Sequence, residues 1–316
     1  MRKLLEPSLY YFSVVAQAGS LTAATDRLGL TVSALSRHIS KLEDDIGVPL
    51  FDRHARGMEL SHAGRVLLRH AQRSLVDAQS VVDEIQGEEH QRLRTIRIAC
   101  TEGYAFDFLP RSMGAFLAAH PEALVELEVV PADVAHQMLL AGMASIALGF
   151  SFAAEPGVHA HLTLPAPVVA LLREGHPLAA QKAVSLQDIA AYPVLLQDAG
   201  TTNRQLFDIA CNVAGLEIVP RVTSRYVGAL YRFVQTIPGA VLPSGYLSVA
   251  QRLEQDGLVA RPFDTELLRQ RRMQIKTLAR RQLAPLPALC LDWLIGDLNR
   301  IAASPGFREM APAVVA

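Results

Sequence analysis

Thr31-Val-Ser-Ala-Leu-Ser-Arg-His-Ile-Ser-Lys-Leu-Glu-Asp-Asp-Ile-Gly47 is the stretch on which the reading of the fold turns. Its apolar residues Leu35, Ile39, Leu42 and Ile46 recur at steps of four, three and four, the repeat of one inward face of an α-helix. Thr31 stands where a side-chain oxygen caps a helix, and Gly47 where a left-handed residue ends one. The face away from the core carries Ser33, Ser36, Arg37, Ser40 and Lys41, and with Thr31 and Val32 at its start these are the candidate DNA contacts. Short hydroxyls and two cations there suit a helix lying in a DNA major groove, near base edges and phosphates. A merely solvated helix face has the same composition, so the neighbours must decide. Glu43, Asp44 and Asp45 fall toward the C-terminal end, where they can point away from a polyanion.

Working outward, Leu5, Leu9, Phe12 and Ala16 predict an amphipathic helix ended by Gly19-Ser20. Leu21, Ala24 and Leu28 line a short second helix that Ser20 can cap and Gly29 stops. The pattern is a supporting helix, then helix, tight turn, helix. Downstream, Pro49–Leu60 reads as a β-hairpin wing with Arg53, His54, Arg56 and Gly57 at its tip. Arginines at such a tip can enter a minor groove or grip phosphate. From Ser61 to about His90, Ala63, Leu67, Ala71, Leu75, Ala78, Val82 and Ile85 form one helical stripe. A helix of about 30 residues spans about 45 Å, too long to bury inside a head of about sixty residues. A partner helix is the favoured cover, which predicts dimerisation; packing on the chain's own C-terminal region is the alternative.

Beyond Arg94 short strands alternate with helices: strands at 96–100, 124–130, 146–149, 168–173, 194–197, 218–222, 240–242 and 274–279. Helices fall at about Phe106 onward, Val134–Leu140, Asn203–Gly215, from Val227, and Leu286 to about Ala303. This rhythm predicts parallel β-α units. The six Lys/Arg between 269 and 281, without an acid among them, read as a solvated strand flank.

Composition sets outer limits. The 316 residues suggest about two domains and are half hydrophobic. Thirty Lys/Arg against 31 Asp/Glu, net −1, exclude a nucleic-acid-coating protein but not a local DNA-binding face. Even residues 1–75 hold only ten Lys/Arg against seven Asp/Glu. Cys100, Cys211 and Cys290 are widely spaced and odd in number, which argues for a reducing compartment. Arg2-Lys3, an apolar run and Ala16-Gln17-Ala18 mimic a signal peptide, but Glu6 and Pro7 break the run. The uncharged stretch Met138–Ala154 reads as helix then strand rather than a membrane span. The expectation is a cytoplasmic chain that does not enter a membrane.

Four linked motifs carry a resemblance: Phe12-Ser-Val-Val-Ala-Gln-Ala-Gly-Ser20, Leu21-Thr-Ala-Ala24, Ala34-Leu-Ser-Arg-His-Ile-Ser-Lys-Leu-Glu43 and Ile46-Gly-Val-Pro-Leu-Phe-Asp-Arg53. Together they closely resemble the N-terminal winged helix-turn-helix of LysR-type transcriptional regulators. Segments Ile96–Pro110, His176–Ala179, Ala199–Thr202 and Ala240–Pro243 extend the likeness weakly into the rest. The resemblance implies a regulator that binds double-stranded DNA as a homodimer through the linker helix, or as a homotetramer. It also implies a C-terminal region like a type 2 periplasmic binding protein, with two Rossmann-like α/β subdomains around a cleft and the second inserted into the first. The implied boundaries are 1–61 for the winged head, 62–91 for the linker helix and 92–316 for the effector-binding region. Within the last, subdomain I is 92–162 with 268–316, and subdomain II is 163–267. One departure concerns recognition. The family often begins its reading helix with Ser-Gln-Pro-Ala, whereas this chain has Thr31-Val-Ser-Ala34. Val32 cannot hydrogen-bond a base but can touch a thymine methyl.

Ligands of open α/β sheets bind beyond the carboxyl ends of strands. Cys100-Thr101-Glu102-Gly103 and Gly200-Thr201-Thr202-Asn203 are two such ends, each leading into a helix. In the family, Ser/Thr at these places touches a small-molecule effector; helix capping is the plain alternative for Thr201 and Thr202. Helix N-termini favour a small carboxylate, while Glu102 would repel one or bind an amine. Phe106 and Val227 are candidates for an apolar wall. No G-x-S-x-G, P-loop, G-x-G-x-x-G or H-E-x-x-H occurs, so no catalytic residue, cofactor or metal site is expected. Competing readings are a regulator without an effector, one sensing oxidation through Cys100, and a solute-binding protein or enzyme using the cleft.

Overall fold

The computed structural model describes residues 7–54, 57–85, 93–151, 155–279 and 281–311, with the backbone alone for Arg27, Arg53, Gly57, Gln72, Arg73, Val76, Asp77 and residues 79–85. The chain divides into two compact units, one reaching Leu93 and one built from Arg94 onward, apart from the turn Leu140–Met143, which groups with the first. Among the described residues no helix is long and apolar enough to cross a membrane.

In the first unit, α1 (Pro7–Ala18), α2 (Leu21–Leu28) and α3 (Val32–Ile46) are followed by the hairpin β1 (Phe51–His54) and β2 (Gly57–Leu60). The caps fall where the sequence puts them. Ser20 accepts from the Ala23 N–H and Thr31 from the Ala34 N–H, while Gly29 (φ 64°) and Gly47 (φ 82°) end their helices left-handed. Phe12, Val15, Leu28, Leu35, Ile39, Leu42, Leu50 and Phe51 bury together into one small core. Ile46 departs from its expected inward position and is 44% exposed, because it lies on the last turn of α3, at the edge of that core. Helix α4 (His62–Ile85) opens on Ser61, whose hydroxyl accepts from the Gly64 N–H. Ala63, Leu67 and Ala71 of its stripe pack on the head core. The described helix of 24 residues is about 36 Å long; Val82 and Ile85 lie outside the described side chains.

The second unit holds β3 (Thr95–Cys100), α5 (Glu102–Ala105), α6 (Phe108–Ala119), β4 (Leu124–Val129), α7 (Ala132–Leu140), β5 (Ile146–Ser151), β6 (Val158–Pro165) and β7 (Val168–Arg173). It continues through α8 (Leu186–Ala190), β8 (Leu195–Gln197), α9 (Thr202–Val213), β9 (Val222–Ser224), α10 (Val227–Thr236), β10 (Leu242–Gly245), β11 (Leu258–Pro262), β12 (Arg272–Leu278), α11 (Pro285–Ala303) and α12 (Pro305–Met310). A five-stranded sheet has the order β4-β3-β5-β12-β6, and a three-stranded one the order β10-β7-β11, with β8 and β9 paired beside it. The pairs β3/β4, β3/β5 and β8/β9 are parallel, as the strand-helix rhythm requires. The rest of the pairing corrects that expectation: β12 runs antiparallel to both β5 and β6, and β7 antiparallel to β10 and β11. Strands β6 and β11 have no place in a βαβ rhythm, yet each carries period-two alternation, Val158/Ala160/Leu162/Leu164 and Leu258/Ala260/Pro262.

Strand β6 carries the first sheet to Pro165, past the expected boundary at 162/163, and β7 begins the second at Val168. The chain returns between Pro262 and Arg272. The two crossings are bonded side by side. The Ala166 N–H donates to the Arg271 carbonyl and Arg271 Nε donates to the Ala166 carbonyl, each at 2.9 Å.

Candidate DNA-reading face and ligand cleft

Helix α3 buries Leu35, Ile39 and Leu42 and leaves Thr31, Val32, Ser33, Arg37 and Lys41 exposed, with Ser36 and Ser40 half-buried between them. Val32 is 44% exposed, an apolar group held open at the start of the helix. Arg37 Nε donates to the Ser33 carbonyl at 3.4 Å, so its guanidinium leans back toward that N-terminus. Glu43 separates from the acidic trio by its work. Its carboxylate accepts from the Leu50 and Phe51 N–H groups at 2.8 and 3.2 Å and ties the end of α3 to the first strand of the hairpin. The hairpin pairs Phe51 with Leu60 and His54 with Gly57, and the Met58 N–H donates to the Gly19 carbonyl. Arg56 lies outside the described residues, as does the Arg53 side chain.

The second site is a cleft of about 1060 Å³ inside the second unit. Thr101, Glu102, Gly103, Thr201, Thr202 and Val227 line it together, although they come from the ends of three separate segments. Two expected residues do not. Cys100 shares the buried parity of β3 with Ile96 and Ile98 and sits in the core, where burial pushes its thiol up to about 12. Phe106 turns away from the cleft onto α10. Its ring lies 5.1 Å from that of Tyr231, under the Arg252 guanidinium and against Gly228.

Thr201 caps α9, accepting from the Arg204 N–H at 3.2 Å and donating to the Asp198 carbonyl at 3.1 Å. Its hydroxyl is thereby committed to the backbone even as it faces the cleft. Asn203, 3% exposed, donates its amide to the Pro243 carbonyl at 2.8 Å and leaves Oδ1 without a partner. Glu102 accepts from the Val227 and Gly228 N–H groups at the start of α10; burial raises its pKa, and those two bonds oppose the rise.

The basic cluster at 269–281 is the clearest correction. Arg271 and Lys276 are each 2% exposed rather than solvated. Lys276 belongs to β12, which lies between β5 and β6, and Arg271 to the crossing just before that strand. Each cation is compensated differently. Lys276 Nζ lies 2.7 Å from Glu155 Oε2, which also meets His136 Nδ1 at 2.8 Å. Desolvation is the main reason the His136 pKa falls. Arg271 lies 4.1 Å over the Phe150 ring, which itself stacks on Tyr104 at 4.8 Å. Burial lowers the Arg271 pKa to about 10, so it remains a cation at neutral pH. Arg271, Phe150 and Ser248 also line the cleft, beyond the residues that motif reading offers. The basic run that leads into β12 was the one visible signal for Arg271.

Among the described residues no group of three or more His, Cys, Asp or Glu is placed to hold a metal ion. Residues 7–65 match the family model of bacterial regulatory helix-turn-helix proteins of the lysR family, and residues 89–299 match the LysR substrate binding domain. The chain is 40% identical over 120 residues to the HTH-type transcriptional regulator DgdR of Burkholderia cepacia, covering 38% of this chain and 40% of that one. It is 30% identical over 203 residues to the RuBisCO operon transcriptional regulator of Allochromatium vinosum, covering 63% and 66%. In three dimensions it resembles a full-length OxyR variant of Pseudomonas aeruginosa (TM-score 0.56, 20% identity, 96% and 97% covered). It also resembles full-length CbnR in complex with its target DNA (TM-score 0.54, 22% identity, 94% and 99% covered).

Proposed function

Because the chain belongs to the LysR family of transcriptional regulators, we propose that its winged head reads a specific DNA site through α3 while the cleft binds a small organic carboxylate that sets its activity. The observation that carries this is the Thr31-capped helix α3, which turns one face into the head core and presents Val32, Ser33, Arg37 and Lys41 to solvent. In the working form two copies pair through α4, and two such dimers make a tetramer in the cytoplasm. The wing adds phosphate contacts through Arg53 and Arg56. The effector acts by binding two arrangements of the subdomains with different affinity, the only way a ligand can shift such an equilibrium. We place binding, not turnover, in the cleft. The reading by oxidation through Cys100 is disfavoured, because a buried thiol with a raised pKa carries little of the reactive thiolate.

Footprinting of the full-length protein on the DNA upstream of its own reading frame, with wild type beside Arg37→Ala, tests the head. A discrete protected site is expected, and the variant should bind it about thirty-fold more weakly, the loss of about 2 kcal/mol typical of one base-reading arginine. Protection indifferent to sequence and to Arg37 would remove α3 as the reader.

A further inference from the structure

Buried polar atoms without partners gather in the cleft. Among the described residues, Thr101 Oγ1, Glu102 Oε2, Asn203 Oδ1 and Arg271 Nη2 are shut from solvent and make no hydrogen bond within the chain, and all four residues line this one cavity. Such groups are costly unless something meets them. Their chemistry specifies what that is. Arg271 only donates and is a cation; Glu102 Oε2 and Asn203 Oδ1 accept, and the former belongs to a carboxylate; Thr101 can do either. A plain carboxylate meets Arg271 and is repelled by Glu102. A plain amine meets Glu102 and leaves Arg271 unpaired.

The start of α10, where an anion would otherwise dock, already holds the Glu102 carboxylate on the N–H groups of Val227 and Gly228. That leaves Arg271 as the place for a negative group. The backbone next to each charged residue also closes on one residue, Ser248. A Cβ on Gly103, the residue after Glu102, would lie 2.6 Å from Ser248 Oγ. A Cβ on Gly245 would lie 3.5 Å from the same oxygen and 2.3 Å from Arg271 Nη2. Gly103 and Gly245 therefore let the segment after Glu102 and the end of β10 pack against Ser248 in the cleft floor, with Arg271 Nη2 against Gly245. Val129 and Tyr226, exposed in the cleft wall, offer apolar surface to the remainder of a ligand.

We propose that the effector is a small zwitterion, an α-amino acid with an apolar side group, whose carboxylate pairs with Arg271 and whose ammonium is held by Glu102 and Asn203 Oδ1. This rests on the reading of the cleft as the effector site and narrows the carboxylate to one that also carries a cation. It gives the ligand a lever as well. Arg271 belongs to the pair of crossings between the two sheets, bonded to Ala166 in both directions, so its partner binds beside those crossings.

The test is calorimetric titration and thermal denaturation of the full-length protein with matched sets. Each apolar L-amino acid is compared with its counterparts lacking the ammonium or the carboxylate: L-leucine with isocaproate and isoamylamine, L-phenylalanine with hydrocinnamate and phenethylamine. At least one amino acid should bind and raise the melting temperature, with both of its counterparts weaker by about tenfold or more, since each leaves a buried charge unpaired. Replacing Arg271 can collapse the cleft floor, so Glu102→Gln carries the decision. It keeps the side-chain shape, and its fold is checked by its unliganded melting curve. It should weaken the amino acid about tenfold and strengthen the ammonium-free acid, reversing their order. If the ammonium-free acid binds wild type as tightly as the amino acid, or the order survives Glu102→Gln, the zwitterion is wrong and the carboxylate effector stands. If no amino acid, acid or amine binds while the protein still footprints its DNA, the cleft reading falls and the zwitterion with it.

Discussion

The exposed face of α3 and the cleft are both polar surfaces laid on apolar cores, but they are assembled in opposite ways. Every residue of the α3 face lies between Thr31 and Lys41, so one helical repeat sorts them into inward and outward sets. The cleft takes Glu102 from one strand end, Asn203 from another, Ser248 from a third segment and Arg271 from the return crossing. A face made by one helix has its geometry written in the spacing of its residues. A face made by four segments has its geometry written only in the packing beneath it.

The contrast is broken most forcefully by attacking the packing of the head at a single backbone contact. A Cβ on Gly64 would stand 2.0 Å from the Leu50 carbonyl oxygen, which already accepts the Ser61 N–H. Backbone cannot yield there as a flexible side chain would, so Gly64→Ala should cost the head about 3 kcal/mol. We expect DNA binding to be lost and the head to melt early, with a separate, unmoved transition for the cleft unit in calorimetry. One transition moving as a whole would mean that the two surfaces do not stand on independent cores.

This division explains how much was legible. The caps Ser20 and Thr31, the ends at Gly29 and Gly47, and the buried set Leu35, Ile39 and Leu42 follow from local rules and stand in the structure as read. Ile46 fails because periodicity does not say where a core ends. In the second unit the strand ends at Thr101 and Thr201 were found, since a strand leading into a helix is again a local signal. Arg271 and Lys276 were misread because a charge run looks solvated, and its spacing shows neither the seat over Phe150 nor the ion pair with Glu155. Phe106 was misplaced because nothing in its spacing reveals that Gly228 opens a seat for its ring.

A smaller effect sharpens the local side of the comparison. Thr31 serves as both a cap and a candidate DNA contact: its hydroxyl accepts from the Ala34 N–H at 3.3 Å and lies 3.2 Å from Ser33 Oγ. Thr31→Ala should cost the head about 1 kcal/mol, and Thr31→Ser almost nothing. Denaturant melts measure the first role and footprint titrations the second. If Thr31→Ser binds DNA as wild type while its Ala counterpart weakens only as far as its stability falls, the residue is a cap alone.

The smallest effect compares two carboxylates that both sit at helix starts. Asp188 of α8 lies near the surface, and its bonds with Ser185 hold its pKa below the usual value. Glu102 is buried against α10, and desolvation raises its pKa. The signs must therefore oppose each other. Asp188 contributes stability above its unfolded pKa, near 4, that is lost as pH falls through the lower folded value. For Glu102 the contribution is full below its unfolded pKa, also near 4, and is lost as pH rises through the higher folded value. Melting curves against pH for wild type, Asp188→Asn and Glu102→Gln isolate each slope by difference. If the Glu102 difference rises with pH as the Asp188 one does, the backbone bonds at Val227 and Gly228 outweigh burial. The cleft would then hold a solvated acid instead of one that waits for an ammonium, and its polarity would be as locally determined as that of the α3 face.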